Sequence, residues 1–222
     1  MEFVWGVLSS LAASLLVAGA AWSGSRRLRG KMINWLSRMT GAGVARTYPK
    51  QSLANTALAD DLRDAKWVRV LTSRGNELTR DSFAELWNRR SRTIPVQILL
   101  PDPLTAGIGS WLDRRADEVS EYDTAFRAGL LGRQVKTNLD YLHAHLNDRP
   151  EVEIRLYDFP HLARVIATDR VAYLTTYSNR EHGRNSPCTV FQNPSPMYDF
   201  CLRIFDVAWS RAHPEGAADA RG

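Results

Sequence analysis

The sequence predicts an α/β fold: a mixed sheet covered by helices on both faces, with one transmembrane helix in front of it. Three observations predict it. Helical and strand patterning alternate in the order helix–strand–helix–strand–helices–strand–strand–strand–helix. Three strand-like segments follow one another closely between Val152 and Tyr177. The chain also opens with a long run free of charge.

That run, Phe3 to Trp22, is 20 residues without charge or proline. At about 1.5 Å per residue it reaches about 30 Å, the thickness of a hydrocarbon core. Trp5 and Trp22 fall near its ends, where amphipathic rings favour the lipid–water interface. Its Ala, Ser and Gly residues would let two such helices pack closely. Only Glu2 is charged before the run, and Arg26, Arg27, Arg29 and Lys31 follow it. A cleaved signal peptide wants positive charge in front of its apolar core. The observed asymmetry instead predicts a single-pass cell-membrane protein with its C-terminal domain in the cytoplasm.

From Leu28 to Met39 the pattern becomes amphipathic. Leu28, Met32, Ile33, Trp35, Leu36 and Met39 alternate with Arg29, Lys31, Asn34 and Arg38. Two readings stand: a basic helix lying on anionic headgroups, or a linker helix packed on the domain. Gly41 and Gly43 end the segment. The expected division is an anchor over 1–24, a basic juxtamembrane segment over 25–43, a domain over 44–212 and a disordered Ala/Gly/Pro/charged tail over 213–222.

Within the domain, Pro49 opens a helix over Gln51–Ala65 with Leu53, Ala57, Leu58 and Leu62 on one face. Trp67–Leu71 is a strand, broken by Gly75, and Asp81–Asn88 a helix. Ile94–Leu100 is a buried strand stopped by Pro101, Asp102 and Pro103. A helical region runs from Thr105 to Leu146 with a break near Ser120. Val152–Tyr157, Ala163–Thr168 and Val171–Tyr177 are strands, the last two joined at Asp169–Arg170. Met197–Arg211 is the final helix, with Met197, Phe200, Cys201, Ile204, Phe205, Ala208 and Trp209 inward.

Composition narrows the function classes. With 222 residues, 44% hydrophobic and 24% charged, the chain can bury one ordinary core. The net charge of +5 is modest and sits largely beside the apolar run, so it does not point to nucleic acid. Arg89, Arg90 and Arg92 end a helix, where cations suit the dipole, and no aromatic residues interleave with them. Cys188 and Cys201 read as free thiols in a reducing compartment. His143, His145, His161, His182 and His213 lack metal-ligand spacing, so no metal and no cofactor are expected. No Walker loop, GxGxxG, HExxH or GxSxG is present.

One constellation carries chemistry. Leu162-Ala163-Arg164 is followed after four residues by Asp169, and after six more by Thr176-Tyr177-Ser178-Asn179. This resembles a degenerate phospholipase D superfamily motif, in which histidine, lysine, aspartate, a Gly-Ser pair and asparagine stand in that order. Arg164 falls on the lysine, Asp169 on the aspartate and Asn179 on the asparagine. Leu162 falls on the histidine, and Thr176 and Tyr177 replace the Gly-Ser pair. The stretch from Leu58 to Pro103 resembles the opening helix–strand–helix–strand of such domains, and Phe200–Ala212 their final helix. The likeness spans Tyr48 to Ala212 and implies a phospholipase D-like mixed sheet.

In that family a histidine attacks phosphorus, a second histidine protonates the leaving group, and lysine and asparagine hold the phosphate oxygens. Leucine cannot be a nucleophile. His161 is the neighbour, but adjacent strand residues point to opposite faces, so it reads as an exposed turn histidine unless a bulge turns it inward. Arginine in the lysine position offers a two-pronged grip on phosphate. The resemblance therefore implies a phosphate-binding pocket without hydrolysis, formed by Arg164, Asp169, Asn179, Tyr177 and Ser178 with Arg74 from the first strand's end. The alternative is an Arg164–Asp169 pair that only ties a hairpin together. A single motif copy implies a homodimer, since family members with one copy pair to complete the site. The resulting expectation is a membrane-bound, catalytically inactive sensor or effector for a phosphorylated small molecule such as a nucleotide, suited to bacterial stress or defence signalling. The alternatives are an active phosphodiesterase, phospholipase or nuclease using His161, and an interaction scaffold without a small ligand.

Overall fold

The structure is a computed structural model of the 222-residue chain. It describes residues 14, 19, 26–88, 93–105, 109–123, 126, 129–146, 148–160, 163–177 and 182–214. The apolar run expected to span a membrane lies outside the described residues, positions 14 and 19 apart, as do Arg89, Arg90 and Arg92. Among the described residues no helix is long and apolar enough to cross a membrane.

Helix α1 (Arg26–Thr40) leads into β1 (Val44–Tyr48), a 3-10 turn (Gln51–Ala54), α2 (Asn55–Arg63), β2 (Val68–Leu71) and α3 (Asp81–Asn88). Then come β3 (Val96–Pro101), α4 (Trp111–Ser120), α5 (Leu130–Leu146), β4 (Val152–Tyr157), β5 (Ala163–Thr168) and β6 (Val171–Thr176). A second 3-10 turn (Gly183–Asn185), β7 (Cys188–Gln192), α6 (Pro196–Arg211) and β8 (His213–Pro214) complete the order. The described strands form one sheet in the order β1-β7-β6-β5-β2-β3-β4-β8. Strands β2, β3 and β4 run parallel, and every other pairing is antiparallel. The fold is therefore an open mixed α/β sheet flanked by helices, as the element order predicts.

Alternation along the strands splits the core in two. Val68, Val70, Ile98 and Ile166 face Leu58 and Leu62 of α2, Phe83 of α3 and Leu142 of α5. Leu71, Leu99, Val165, Ala167 and Leu174 face Leu112 of α4, Val135 of α5 and Phe205 of α6. The α4 start is capped by Ser110, whose Oγ accepts from the Asp113 N–H at 3.1 Å. Helix α6 begins with Ser195 accepting from the Tyr198 N–H at 3.2 Å and with Pro196 in its first turn. Ser195 leaves room for nothing larger than glycine at position 43, which has φ +71° and where a Cβ would fall 2.0 Å from the Ser195 Cβ.

Several expectations are corrected. Strands β1 and β7 are additional to the expected order. Leu53 is 55% exposed because Gln51–Ala54 is a tighter 3-10 turn, which rotates it off the α2 face. Phe200 is 50% exposed at the margin of the α6 stripe that buries Cys201, Phe205 and Ala208. His213 and Pro214, expected in a disordered tail, pair instead with Leu156 and Arg155 of β4, and the rest of that expected tail, 215–222, lies outside the described residues. There His213 Nε2 lies 3.2 Å from Oδ2 of the buried Asp102.

The outer strand β1 is held by a polar cluster. The Arg46 guanidinium pairs with the Asp61 carboxylate, and the Tyr173 hydroxyl donates to Asp61 Oδ2 at 2.5 Å. Burial, then the hydrogen bond to Asp61, hold the Tyr173 phenol well above its ordinary range. Asp61→Ala leaves that hydroxyl without its acceptor and Arg46 without its carboxylate, with only the Tyr173 hydroxyl at 3.2 Å still accepting from Arg46 among the described residues, and should cost about 1–3 kcal/mol. Asp61→Asn keeps an acceptor and should cost less. Urea denaturation gives the ranking, and hydrogen exchange should show β1 opening first in Asp61→Ala.

Candidate functional site

The sheet opens into a cavity at the edge where β2 and β6 end and β5 begins. In open α/β sheets the strand ends leave such crevices, because connecting segments diverge there. The cavity is about 500 Å³ and is lined by residues from the turn after β2, the α2 start, the α5 start and the loop before β7. Four arginines, Arg74, Arg80, Arg164 and Arg184, face it against two carboxylates, Glu77 and Asp123. Gln51, Asn55, Ser73, Asn76 and Gln134 add neutral hydrogen-bonding groups, and Phe126 and Tyr177 aromatic walls.

Arg164 enters from the first turn of β5 with its side chain 3% exposed. Its guanidinium is neutralised from within: Nη1 pairs with Glu77, and Nη2 donates to Thr175 Oγ1 at 3.3 Å. Thr175 sits directly opposite on β6.

Arg74 differs. Its Cζ stands 5.0 Å above the Phe126 ring, and its Nη2 lies 3.5 Å from His182 Nδ1. Among the described residues no carboxylate forms an ion pair with it. Burial lowers the Arg74 guanidinium below the ordinary arginine value, and Arg115 and Arg184 act in the same direction. The backbone beneath is fixed, since Asn138 Nδ2 donates to the Arg74 carbonyl at 2.7 Å and to Asn76 Oδ1 at 2.6 Å. His182 closes the far wall, with Nε2 3.0 Å from Asp123 Oδ2 and its ring edge-on to Tyr122 at 5.7 Å. The Ser73 hydroxyl donates to the Tyr177 hydroxyl at 3.2 Å. Gly183 packs on that ring so closely that a Cβ would come within 2.9 Å of it.

Three of the expected site residues, Arg74, Arg164 and Tyr177, therefore meet in one cavity. Asp169 does not join them. It lies five positions further along the strand pair than Arg164, about 16 Å away. Its Oδ1 accepts from the Lys66 N–H at 2.8 Å and its carbonyl from Asn193 Nδ2 at 2.8 Å, so it secures the β5–β6 turn. The alternative reading, an Arg164–Asp169 pair tying the hairpin, does not hold either, since Arg164 pairs with Glu77. Ser178, Asn179, His161 and Leu162 lie outside the described residues. Arg80, Arg184, Glu77, Asp123, Phe126 and His182 line the cavity without having been singled out. They come from loops and helix ends with no fixed spacing, and only chain topology brings them together.

The arrangement can take an anion. Arg74 and its neighbours carry unbalanced positive charge into a partly enclosed space, where an anionic group would be held more strongly than in water.

No protein-family model matches the sequence. No curated protein matches it either. Among solved structures, the chain is similar to TrmBL2, an archaeal chromatin protein described as showing a novel mode of DNA binding, at 13% identity and TM-score 0.45, covering 96% of this chain and 68% of that one. It is also similar to Nuc, a phospholipase D family member from Salmonella typhimurium, at 12% identity and TM-score 0.41, covering 72% of this chain and 90% of that one. NucT from Helicobacter pylori aligns at 11% identity and TM-score 0.45, covering 74% of this chain and 92% of that one. None of the three fixes the family of this chain.

Proposed function

We propose that this chain is a phospholipase D-like domain that binds a phosphorylated small molecule in the arginine-lined cavity without hydrolysing it. The apolar N-terminal run ties it to a membrane, with the domain in the cytoplasm, and the single motif copy works in a homodimer. The observation that carries the ligand reading is Arg74. A partly buried guanidinium with no carboxylate partner among the described residues costs folding free energy, and a phosphate entering the cavity offsets that cost. Arg80 and Arg184 add charge for a polyvalent anion, and Phe126 and Tyr177 offer surfaces for an attached ring. The absence of hydrolysis follows from leucine at position 162, where the resembled motif has its nucleophile.

A phosphodiesterase reading has one observation in its favour. His182, oriented by Asp123, lines the same cavity. In the resting arrangement one ring nitrogen faces Asp123 and the other faces Arg74, so attack on phosphorus would need His182 to leave Arg74.

The test is the thermal stability of the full chain in detergent with inorganic phosphate, nucleotides and phospholipid headgroups, with products analysed in the same samples. A ligand at about 100 times its Kd adds about 2.7 kcal/mol, a shift of several degrees. Stabilisation by a phosphorylated class without product is the expected result. Product formation would transfer the function to His182 and Asp123. No shift across the panel would leave the scaffold reading.

A further inference from the structure

Helix α1 turns an apolar stripe away from the domain. Met32, Trp35, Leu36 and Met39 follow the i, i+3, i+4, i+7 spacing of one helix face, and their exposures run from 37% to 68%. The opposite side meets the sheet. There Ser37 is buried, its Oγ accepting from the Val44 N–H, and Ile33 and Asn34 are half-buried. An amphipathic helix that only linked the domain would turn this stripe inward.

Charge identifies the occupant. The helix sequence holds Arg26, Arg27, Arg29, Lys31 and Arg38 and no acidic residue. A second copy of α1 laid against it would bring like charges together. An anionic lipid surface offers acyl chains to the stripe and phosphates to the bases. Position agrees. Only residues 23–25 separate the apolar run from α1, so the helix starts within about 14 Å of where that run ends. We propose that α1 lies in the plane of an anionic membrane surface with Met32, Trp35, Leu36 and Met39 inserted, seating the domain on the bilayer through β1. This rests on the membrane placement proposed above and is independent of the ligand reading.

Both native cysteines are buried, so a thiol introduced by Met39→Cys can carry an environment-sensitive fluorophore alone. The labelled full chain is reconstituted in vesicles of phosphatidylglycerol or of phosphatidylcholine. The expected result is a blue-shifted label, quenched by brominated lipid, in the anionic vesicles. Lys31→Glu should lower the inserted-to-free ratio by about fivefold or more there, and change little in phosphatidylcholine. A label exposed to water in both vesicle types overturns the proposal. So does a label that is dry yet unquenched by brominated lipid and becomes wet when the chain is diluted in the bilayer, which assigns the stripe to a second copy. Carbonate-resistant association of the same samples reports the anchor separately, so loss of α1 insertion is distinguishable from loss of the membrane placement.

Discussion

Glu77→Ala should lower the unfolding free energy by about 3–5 kcal/mol, the cost of leaving a buried charge without its partner. Arg164 is 3% exposed while Glu77 is 24% exposed, so the burden of desolvation lies on the arginine. Without Glu77, Thr175 Oγ1 at 3.3 Å is the remaining hydrogen-bond partner among the described residues, and a neutral hydroxyl does not balance a cation. The reverse change is milder. Arg164→Met removes the cation and leaves Glu77 beside the cavity, where water can solvate it. The double variant Glu77→Gln with Arg164→Met should therefore be more stable than Glu77→Ala alone. Urea denaturation of the three variants gives the order. A Glu77→Ala loss under about 1 kcal/mol would mean that water in the cavity already solvates Arg164, and that the pair contributes little. Phosphate should recover part of the Glu77→Ala loss, because the anion then takes the carboxylate's place.

The same pair shows what the sequence could and could not reveal. Motif spacing placed Arg164 on a strand beside Tyr177, and both line the cavity. It could not name Glu77, which comes from the turn after β2 and reaches Arg164 only through the β2–β5 pairing. Asp169 matched the motif equally well, but its side chain caps a turn at the other end of the strand. Spacing along a strand fixes a residue's position, while a side chain's partner depends on the loops around it. Strand β4, with plain alternation, and strand β5, a short apolar run ended by the Asp169–Arg170 turn, were legible to the residue. Strand β1 (VARTY) and strand β7 (CTVFQ) were not, because five residues with polar interruptions resemble loop. Their strand state comes from pairing with each other and from β7 joining β6. Phe200 shows the limit of the helical period. A stripe wide enough to include Phe205 and Cys201 also reaches Phe200, and the depth of the neighbouring sheet decides which of them is covered.

Arg74→Gln should weaken binding of the phosphorylated ligand proposed above by about 30-fold or more, the scale for truncating one partner of a desolvated charge pair. The exposed Arg184, lining the same cavity, should cost only a few-fold as Arg184→Gln, since water screens it. The empty protein should respond to Arg74→Gln in the opposite sense to Glu77→Ala. Glutamine relieves a partly buried cation of its desolvation and, among the described residues, gives up the Phe126 contact and the 3.5 Å approach to His182. A ring–cation contact contributes about 0.5–2 kcal/mol, comparable with the cost relieved, so the melting temperature without ligand should hold or rise. A binding residue kept at the expense of stability behaves in this way. Thermal scans of wild type and Arg74→Gln, with and without phosphate, measure both halves at once. A ligand shift lost while the unliganded protein keeps its melting temperature places Arg74 at the anion. A melting temperature that falls by several degrees without ligand makes Arg74 a structural bridge between Phe126 and His182, and moves the anion to Arg80 and Arg184.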